Sequence, residues 1–290
     1  MRLWNLPPIK IAPEFIFPIL GFPVTNTLLC TWISGIVLIL LFIVGMRKRE
    51  MIPTSRLQNA IEALVEFLLG LISSVVGGDK DKAKKFFPLV ASFFFFILVA
   101  NLLDVIPGVD TIGAIDAEVV QKAHGQPFLG FLLFGNISNA LTPWIRPATT
   151  DLNLNLAMAL IAIVTAQVFG FATLGPKQHL SKYFNFKGPI DVFVGLLELV
   201  QEVTRVISLA FRLFGNIFAG SVVLAAFAFL LPGLADIIFI PFELFVAGVQ
   251  AVIFSLLTLI FLQLSTVGHD EHGDVEHDAA HAGKPTAAVQ

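Results

Sequence analysis

The sequence predicts an all-α polytopic membrane protein, and three observations carry that prediction. The 290-residue chain is 56% hydrophobic and only 13% charged, with a mean hydropathy of +0.85. Soluble domains are about one quarter charged. Its apolar segments reach or exceed the ~20 residues that a helix needs to cross a bilayer. With the charges that flank them, these segments predict five spanning helices and one amphipathic helix on the cytoplasmic surface, and the last two spanning helices form a long, strongly tilted hairpin.

The chain divides into three regions on composition. Residues 1–26 form an N-terminal lead-in at the outer surface, where five prolines interrupt the continuous apolar stretch that a cleaved signal peptide needs. Residues 27–267 form a single membrane domain. Residues 268–290 form a disordered acidic tail that contains histidines; metal binding by this tail is the less favoured alternative.

The first spanning helix is predicted at Thr27–Met46, which is long enough to cross the hydrocarbon core. The basic run Arg47-Lys-Arg49 follows it directly. Because basic loops stay on the cytoplasmic side, this loop is expected there and the N-terminus outside.

The next segment, Leu57–Val76, is apolar on one helical face, whereas Gln58, Glu62 and Glu66 lie on the other. Basic residues flank it on both sides, including the cluster Asp79–Lys85. We therefore expect this helix to lie along the cytoplasmic surface instead of crossing the membrane.

Two further crossings follow. Phe86–Ile106 crosses outward and stops at Pro107-Gly108, and the acidic loop Val109–Pro147 is expected outside. Its apolar piece Phe128–Phe134 is too short to span and is expected to dip into the interface. Asp151–Leu174 crosses back, and the lysines of the loop 175–188 place that loop in the cytoplasm.

Two long apolar runs, Ile190–Leu231 and Leu234–Val267, end the domain and are separated by Pro232-Gly233. The first would be about 63 Å long as a helix. Since a perpendicular helix needs only ~30 Å, it must tilt by roughly 60° or break. The C-terminus is then cytoplasmic.

Arg212 lies near the middle of the first long run, about 30 Å of helix from either polar end, so its side chain cannot reach water. A charge in lipid costs at least about 2.5–3.5 kcal/mol, and the residue must therefore face protein or a water-filled cavity. A structural ion pair between helices is possible. The favoured interpretation is a step on an ion pathway.

A polar stripe surrounds Arg212. Helical spacing brings five side chains of this run to one face: Glu198, Glu202, Arg205, Arg212 and Asn216. In an antiparallel hairpin that bends at Pro232-Gly233, partner numbers sum to about 462–465. Arg212 then lies opposite Gln250, and Ser221 lies opposite Glu243. Interhelical hydrogen bonds that join the hairpin are an alternative explanation of the stripe.

Carboxylates on both sides of one fixed cation suggest two polar paths that meet near Arg212. Protons could move along each path, whereas the cation would repel a proton that tried to pass straight through. Such an arrangement needs a moving partner that carries the proton past the barrier.

Other chemistry finds no support in the sequence. It contains neither a Gly-x-x-x-x-Gly-Lys-Ser/Thr phosphate loop nor a dinucleotide fingerprint, so no cofactor and no nucleic acid is expected. The single cysteine, Cys30, excludes an intramolecular disulfide.

Ser208-Leu-Ala-Phe-Arg212-Leu-Phe-Gly-Asn216-Ile-Phe-Ala-Gly220 resembles the signature of subunit a of the F-type ATP synthase membrane sector. Further matches are Asn101-Leu-Leu-Asp104-Val-Ile-Pro107, Pro147-Ala-Thr-Thr-Asp151-Leu-Asn153, Glu198 and Gln250-Ala-Val-Ile-Phe254. The resemblance runs from about Thr27 to Ser265.

This resemblance implies a non-catalytic stator subunit in a bacterial plasma membrane, with two offset half-channels beside a rotating ring of c subunits. The implied partners are that ring, peripheral-stalk b subunits, the peripheral ATPase sector and the lipid bilayer. Arg212 would engage the ring carboxylate, with Gln250 and Asn216 nearby. Glu198 would serve the cytoplasmic half-channel, and the polar stripe extends that path to Glu202. Asp104 and Glu243 would serve the outer half-channel.

One departure concerns the outer path. Many bacterial members carry a glutamate where this chain has Ser221, and a histidine where it has Glu243. Because the hairpin places these two positions opposite each other, the carboxylate is expected to have moved across the pair.

A self-contained transporter or channel that uses Arg212 to bind anions, and a purely structural scaffold, are the alternative classes. The ring rather than this chain would set the choice between proton and sodium.

Overall fold

The helices of the computed structural model match the predicted segments closely. The model describes residues 12–19, 21–47, 55–106, 113–115, 126–128, 132–134, 141–144, 146–181, 183, 189–230 and 234–266. Their helices are α1 (Asn26–Gly45), α2 (Arg56–Val75), α3 (Lys80–Asp104), α4 (Leu152–Leu174), α5 (Pro176–Ser181), α6 (Pro189–Leu230) and α7 (Leu234–Thr266). In this described part, six helices have the length and composition to cross a membrane. A polytopic helical membrane protein is therefore confirmed. The acidic tail lies outside the described residues.

Side-chain caps decide where the helices begin. Asp79 accepts hydrogen bonds from the backbone nitrogens of Asp81 and Lys82, at 3.0 and 3.2 Å, and so satisfies free N–H groups of the first turn of α3. For this reason α3 begins at Lys80, six residues before the predicted Phe86. Asp151 caps α4 in the same way. The prediction also missed α5, which lies within the expected loop 175–188.

Short strands occupy two regions where the sequence predicted none. Their bounds are β1 (Phe15–Ile19), β2 (Phe22–Thr25), β3 (Gly113–Ile115), β4 (Gln126–Phe128), β5 (Leu132–Phe134) and β6 (Leu141–Pro143). The pairs β1–β2, β3–β6 and β4–β5 are antiparallel. Gly21, with a φ of 87°, makes the turn of the first hairpin. The N-terminal lead-in and the piece Phe128–Phe134 thus contain paired strands.

The core of the bundle forms around α3. Phe93, Phe94 and Phe95 are all buried, and the Phe93 ring packs edge-to-face on Phe254 of α7 with centroids 5.3 Å apart. Phe95 packs in the same way on Phe42 of α1, at 5.0 Å. The phenylalanine block therefore joins three helices. Many apolar side chains of α1, α4 and α6 remain exposed, as expected of helices that face lipid.

The two ends of the bundle differ in charge. The basic end carries Arg47, the Lys80–Lys85 segment and Lys177. The loop end contains the start of α1, the end of α3 and a buried 3-10 turn, Ala148–Thr150. Cys30, Ala100 and Ala148 pack together there.

Helix α2 contacts its neighbours at the basic end through both of its halves. Ile61, near its start, packs against Gly45 at the last residue of α1. Val76, just past its end, lies in one buried cluster with Phe86 near the start of α3 and Leu262 near the end of α7. Both ends of α2 therefore lie beside helix segments near the basic end.

Helices α6 and α7 contact each other in antiparallel order. The rings of Phe227 and Phe239 lie 4.9 Å apart at the loop end. A Cβ on Gly220 would lie 3.8 Å from Glu243 Oε1. Further along, the guanidinium of Arg205 lies 5.3 Å from the centroid of the Phe261 ring, a cation–π contact.

Candidate functional site

Arg212 lies near the middle of α6 and points out of the subunit. Its side chain is exposed, whereas its neighbour Leu213 is buried in the core. Its guanidinium makes no hydrogen bond or ion pair with any residue that the structure describes. The structural ion pair that the sequence left open is therefore absent from this part of the chain. A permanent charge at this depth needs a partner outside the subunit, because lipid cannot solvate it.

A cavity of about 400 Å³ lies at the loop end, between the end of α3, the second half of α6 and the first half of α7. Most of its wall is apolar. Its four polar side chains are Asn101, Asp104, Asn216 and Glu243. The structure thus brings together Asp104, Asn216 and Glu243, which were predicted from three separate segments. The cavity offers carboxyl and amide groups in an otherwise apolar pocket.

Asn101 is a wall residue of this cavity that the sequence analysis did not select as a site. It is 1% exposed, and its Oδ1 accepts a 2.7 Å hydrogen bond from Thr149 Oγ1. Asn155 in turn donates from Nδ2 to the Thr149 carbonyl at 2.7 Å. The buried 3-10 turn therefore fixes the side-chain amide of Asn101. A polar residue one turn before Asp104, on the same helical face, was the available signal.

Ser221 does not line the cavity. Its hydroxyl donates to the Phe218 carbonyl of its own helix at 2.9 Å. Gly220, the residue before it, faces Glu243 and forms part of the wall. The sequence predicted that Ser221 lies opposite Glu243. In the structure, the residue that faces Glu243 is Gly220, one position earlier.

The remaining predicted residues lie along the same two helices. Gln250 is buried on α7, with 7% exposure, and no hydrogen bond joins it to Arg212 among the described residues. Glu198 is half-buried on α6, one turn before Glu202.

Glu202 is the centre of a polar cluster near the basic end. Its Oε1 accepts hydrogen bonds from Gln167 Nε2 at 2.7 Å, Tyr183 OH at 3.1 Å and Arg205 Nη1 at 3.2 Å. Arg205 also donates from Nη2 to Gln201 at 3.1 Å. Helices α4 and α6 and the segment after α5 therefore contribute to one site.

His179 joins this cluster from α5, and the sequence analysis did not foresee it. The side chain is 1% exposed, and its Nε2 lies 2.6 Å from Gln167 Oε1. Its ring packs on Phe171, with centroids 4.5 Å apart. The available signal was Gln167, a polar side chain inside a spanning helix that needs a partner.

Burial and, after it, the nearby Glu202 carboxylate raise the pKa of Tyr183 to about 12. The phenol therefore remains protonated at neutral pH and can donate its hydrogen bond to Glu202. Within the described residues, no group of three His, Cys, Asp or Glu side chains is suited to hold a metal ion.

Arg212 separates these two polar regions along α6. Glu202 precedes it by ten residues and Gly220 follows it by eight, which correspond to about 15 Å and 12 Å along a helix axis. The stripe therefore has a carboxylate cluster towards one end, a carboxyl-lined cavity towards the other, and an exposed cation between them.

Comparisons with known proteins identify related sequences. Residues 28–263 match the family described as ATP synthase A chain. The chain is 27% identical over 259 residues to ATP synthase subunit a of Moorella thermoacetica, covering 89% of this chain and 99% of that protein. It is 28% identical over 282 residues to ATP synthase subunit a of Desulforamulus reducens, covering 94% and 91%. With ATP synthase subunit a of Mycobacterium ulcerans it shares 31% identity over 252 residues, covering 86% and 89%.

The match thus spans most of the chain, including every helix considered above. The relatives named above are bacterial. The helices of this chain are those of a multi-pass membrane protein, and the family takes part in ATP synthesis and proton transport. Such a subunit is a non-catalytic part of a larger complex. The chain belongs to the ATP synthase subunit a family.

Proposed function

We propose that this subunit provides two offset aqueous half-channels that pass protons to and from the carboxylates of a c-subunit ring, with Arg212 as the barrier cation between them. One observation carries the proposal: an exposed arginine without a partner in the described chain lies between two polar regions on the same helix. A rotating carboxylate would neutralise this charge in the membrane. Proton flow would then be coupled to ring rotation and ATP synthesis.

The residues divide between the two paths. Glu198 and Glu202 serve the half-channel at the basic end. Asp104 and Glu243 serve the half-channel at the loop end, where they line one cavity. Ser221 lies beside that cavity wall.

Asn216 and Gln250 lie closest to the barrier. Asn216 is one turn after Arg212 and lines the cavity, so it would join the loop-end path to the ring. Gln250 lies about one residue from the position opposite Arg212: the contacts Gly220–Glu243 and Arg205–Phe261 support an antiparallel hairpin in which residue numbers sum to 463–466, and Arg212 and Gln250 sum to 462.

The basic end is cytoplasmic in this proposal, because basic loops are retained on that side. The N-terminus then lies outside and the C-terminus inside. Five helices span the membrane, and α2 lies along the cytoplasmic surface. Support for that position comes from the contacts of both halves of α2 at the basic end. The 42-residue α6 lies strongly tilted against the ring.

The ring is one of several proposed partners. Peripheral-stalk b subunits would hold this subunit fixed relative to the peripheral ATPase sector, so that the ring turns against it. Lipid would cover the exposed apolar faces that no subunit contacts.

The test is replacement of Arg212 in the assembled complex. We expect Arg212→Ala to abolish ATP-driven proton pumping in inverted vesicles, because the ring carboxylate loses its counter-charge and protons can leak without rotation. Arg212→Lys should also fail, since a compact ammonium lacks the planar fork of guanidinium and loses its proton more readily when desolvated.

The matched control is Arg47→Ala, which removes an exposed arginine beyond the end of α1. It should pump as the wild type does. Full pumping by either Arg212 variant, with normal assembly, would falsify the proposed function.

A further inference from the structure

The two carboxylate oxygens of Glu202 have different surroundings. Oε1 accepts from Gln167, Tyr183 and Arg205. Oε2 is buried, and it has no hydrogen-bond partner among the described residues. A buried carboxylate oxygen without a donor is costly, unless it binds a proton or a water molecule. Any proton that reaches this carboxylate therefore finds Oε2 open and Oε1 occupied.

The orientation of Gln167 follows from the hydrogen-bond rules. An ionised carboxylate only accepts, so the amide nitrogen of Gln167 must face Glu202. The amide oxygen then faces His179, whose Nε2 lies 2.6 Å away and must carry the hydrogen. His179 thus holds the amide in the orientation that donates to Glu202.

The position of His179 is itself fixed. Its ring lies against Gly170, where even an added Cβ would approach Nδ1 to 2.8 Å. Phe171 packs on it from α4, and Tyr183 lies edge-on with ring centroids 6.0 Å apart. Because a side chain at position 170 would displace the ring, the glycine permits this close contact.

We propose that Gln167 and Tyr183, together with Arg205, occupy Glu202 Oε1 and so direct the translocated proton to Oε2, and that His179 acts as a positioning residue through Gln167. This rests on the proposed function, which places Glu202 on the path at the basic end. A proton transferred from a hydronium ion forms the O–H bond at Oε2 and leaves water behind. On release the O–H bond breaks, the proton returns to water, and the carboxylate charge is restored.

Among the described residues, few other charges lie at this carboxylate, and Lys177 of α5 is exposed. Tyr183 and Arg205 contact it directly, and His179 acts through Gln167. Glu198, one turn earlier, also acts on Tyr183. From α4, and from α7 between Leu244 and Thr266, the sequence supplies no ionisable side chain. Among the described residues, Gln167, Tyr183 and Arg205 are therefore the groups that contact this carboxylate directly.

The experiment measures ATP-driven pumping by the whole complex in inverted vesicles as the external pH is varied. Donors to Oε1 stabilise the charged carboxylate, and Gln167→Leu removes one of these donors. We expect the alkaline limb of the pumping profile to move up by about one pH unit. Tyr183→Phe should move it in the same direction by less.

His179 is tested through its hydrogen bond. His179→Leu frees the Gln167 amide to turn and should shift the alkaline limb as Gln167→Leu does. His179→Gln keeps an N–H donor of similar reach and should restore part of the wild-type profile. A purely structural role would change the amount of assembled complex without this rescue of the pH dependence.

Thr173→Val is the matched control, because Thr173 lies on the same helix as Gln167, is exposed, and donates only to the carbonyls of Phe169 and Gly170. Its pH profile of pumping should match that of the wild type. An unshifted limb in assembled Gln167→Leu, or an equal shift in Thr173→Val, overturns the inference. If Gln167→Leu does not assemble, Tyr183→Phe decides by the same criterion. Pumping by Arg212→Ala would refute the proposed function instead, so the two failures are distinct.

Discussion

At the scale of single residues, two charges on α6 differ in how they are compensated. Glu202 accepts three hydrogen bonds at one oxygen, whereas Arg212 has no partner within the described chain. Burying an uncompensated charge is unfavourable, so the difference is informative. The protein compensates the first charge internally at one of its two oxygens, and the second charge must be compensated by another molecule.

Tyr183 gives a direct measure of the cluster around Glu202. It is the only tyrosine in the chain, so phenolate absorbance of the purified subunit reports this residue alone. Its pKa is raised from 10.0 to about 12, and the midpoint should appear near that pH. Since the folded state favours the protonated phenol, its contribution to stability is present below pH 10 and is lost as the pH rises through about 12.

The control for this titration is Glu202→Gln, which removes the carboxylate charge beside the phenol. The midpoint should then fall towards the usual tyrosine value, because the negative charge of Glu202 no longer opposes ionisation of the phenol. A wild-type midpoint near 10.0 would contradict the arrangement of this cluster.

Glu243 provides a second test at the residue scale. We expect Glu243→Gln to reduce proton pumping at least about tenfold, because an amide cannot take up and release the proton. Adding Ser221→Glu should restore part of the flow. Position 221 adjoins Gly220, which faces Glu243 in the cavity wall, so a flexible glutamate there can reach the same water.

The comparison variant for this change is Glu66→Gln, an exposed carboxylate on α2, which should pump normally. A Glu243→Gln variant with normal pumping would remove Glu243 from the path. A double variant no better than the single one would argue that a carboxylate at 221 cannot reach the cavity.

At the scale of whole elements, α2 is the helix for which length and hydropathy differ from the proposed topology. It qualifies as a spanning candidate, yet Ile61 and Val76, near its two ends, pack at helix segments close to the basic end. A helix that crossed the bilayer would have to place one of these residues at the loop end. Its polar face also suits the membrane surface.

Cysteine labelling tests this topology. In a background where Cys30 is replaced by alanine, Arg47→Cys and Lys82→Cys should both react with a membrane-impermeant maleimide only in inverted vesicles, since they lie on one side. Phe22→Cys, at a side chain 77% exposed in β2, should react only in right-side-out vesicles. Labelling of positions 47 and 82 from opposite sides would mean that α2 spans.

At the scale of the whole molecule, polar chemistry is concentrated at the two ends and on one face of α6. The cavity lies at the loop end, the Glu202 cluster lies near the basic end, and Arg212 lies between them on an exposed surface. No continuous polar route needs to cross the subunit in this arrangement. A moving partner on the α6 surface would complete it.

The sequence by itself determined the fold class, the six long helices and the family signature. Apolar length sets the spanning segments, because an unpaired backbone group is too costly in lipid, and helix ends were therefore predicted within one residue for most segments. Helical spacing also sufficed to place Glu202, Arg212 and Asn216 on one face.

Only the tertiary structure decided which distant residues meet. Gln167 and His179 reach Glu202 because α4, α5 and α6 pack together, and the cavity that joins Asp104 to Glu243 depends on how α3 approaches α6 and α7. Periodicity orders side chains around one helix, whereas contacts between helices depend on packing, which no pattern along the chain encodes.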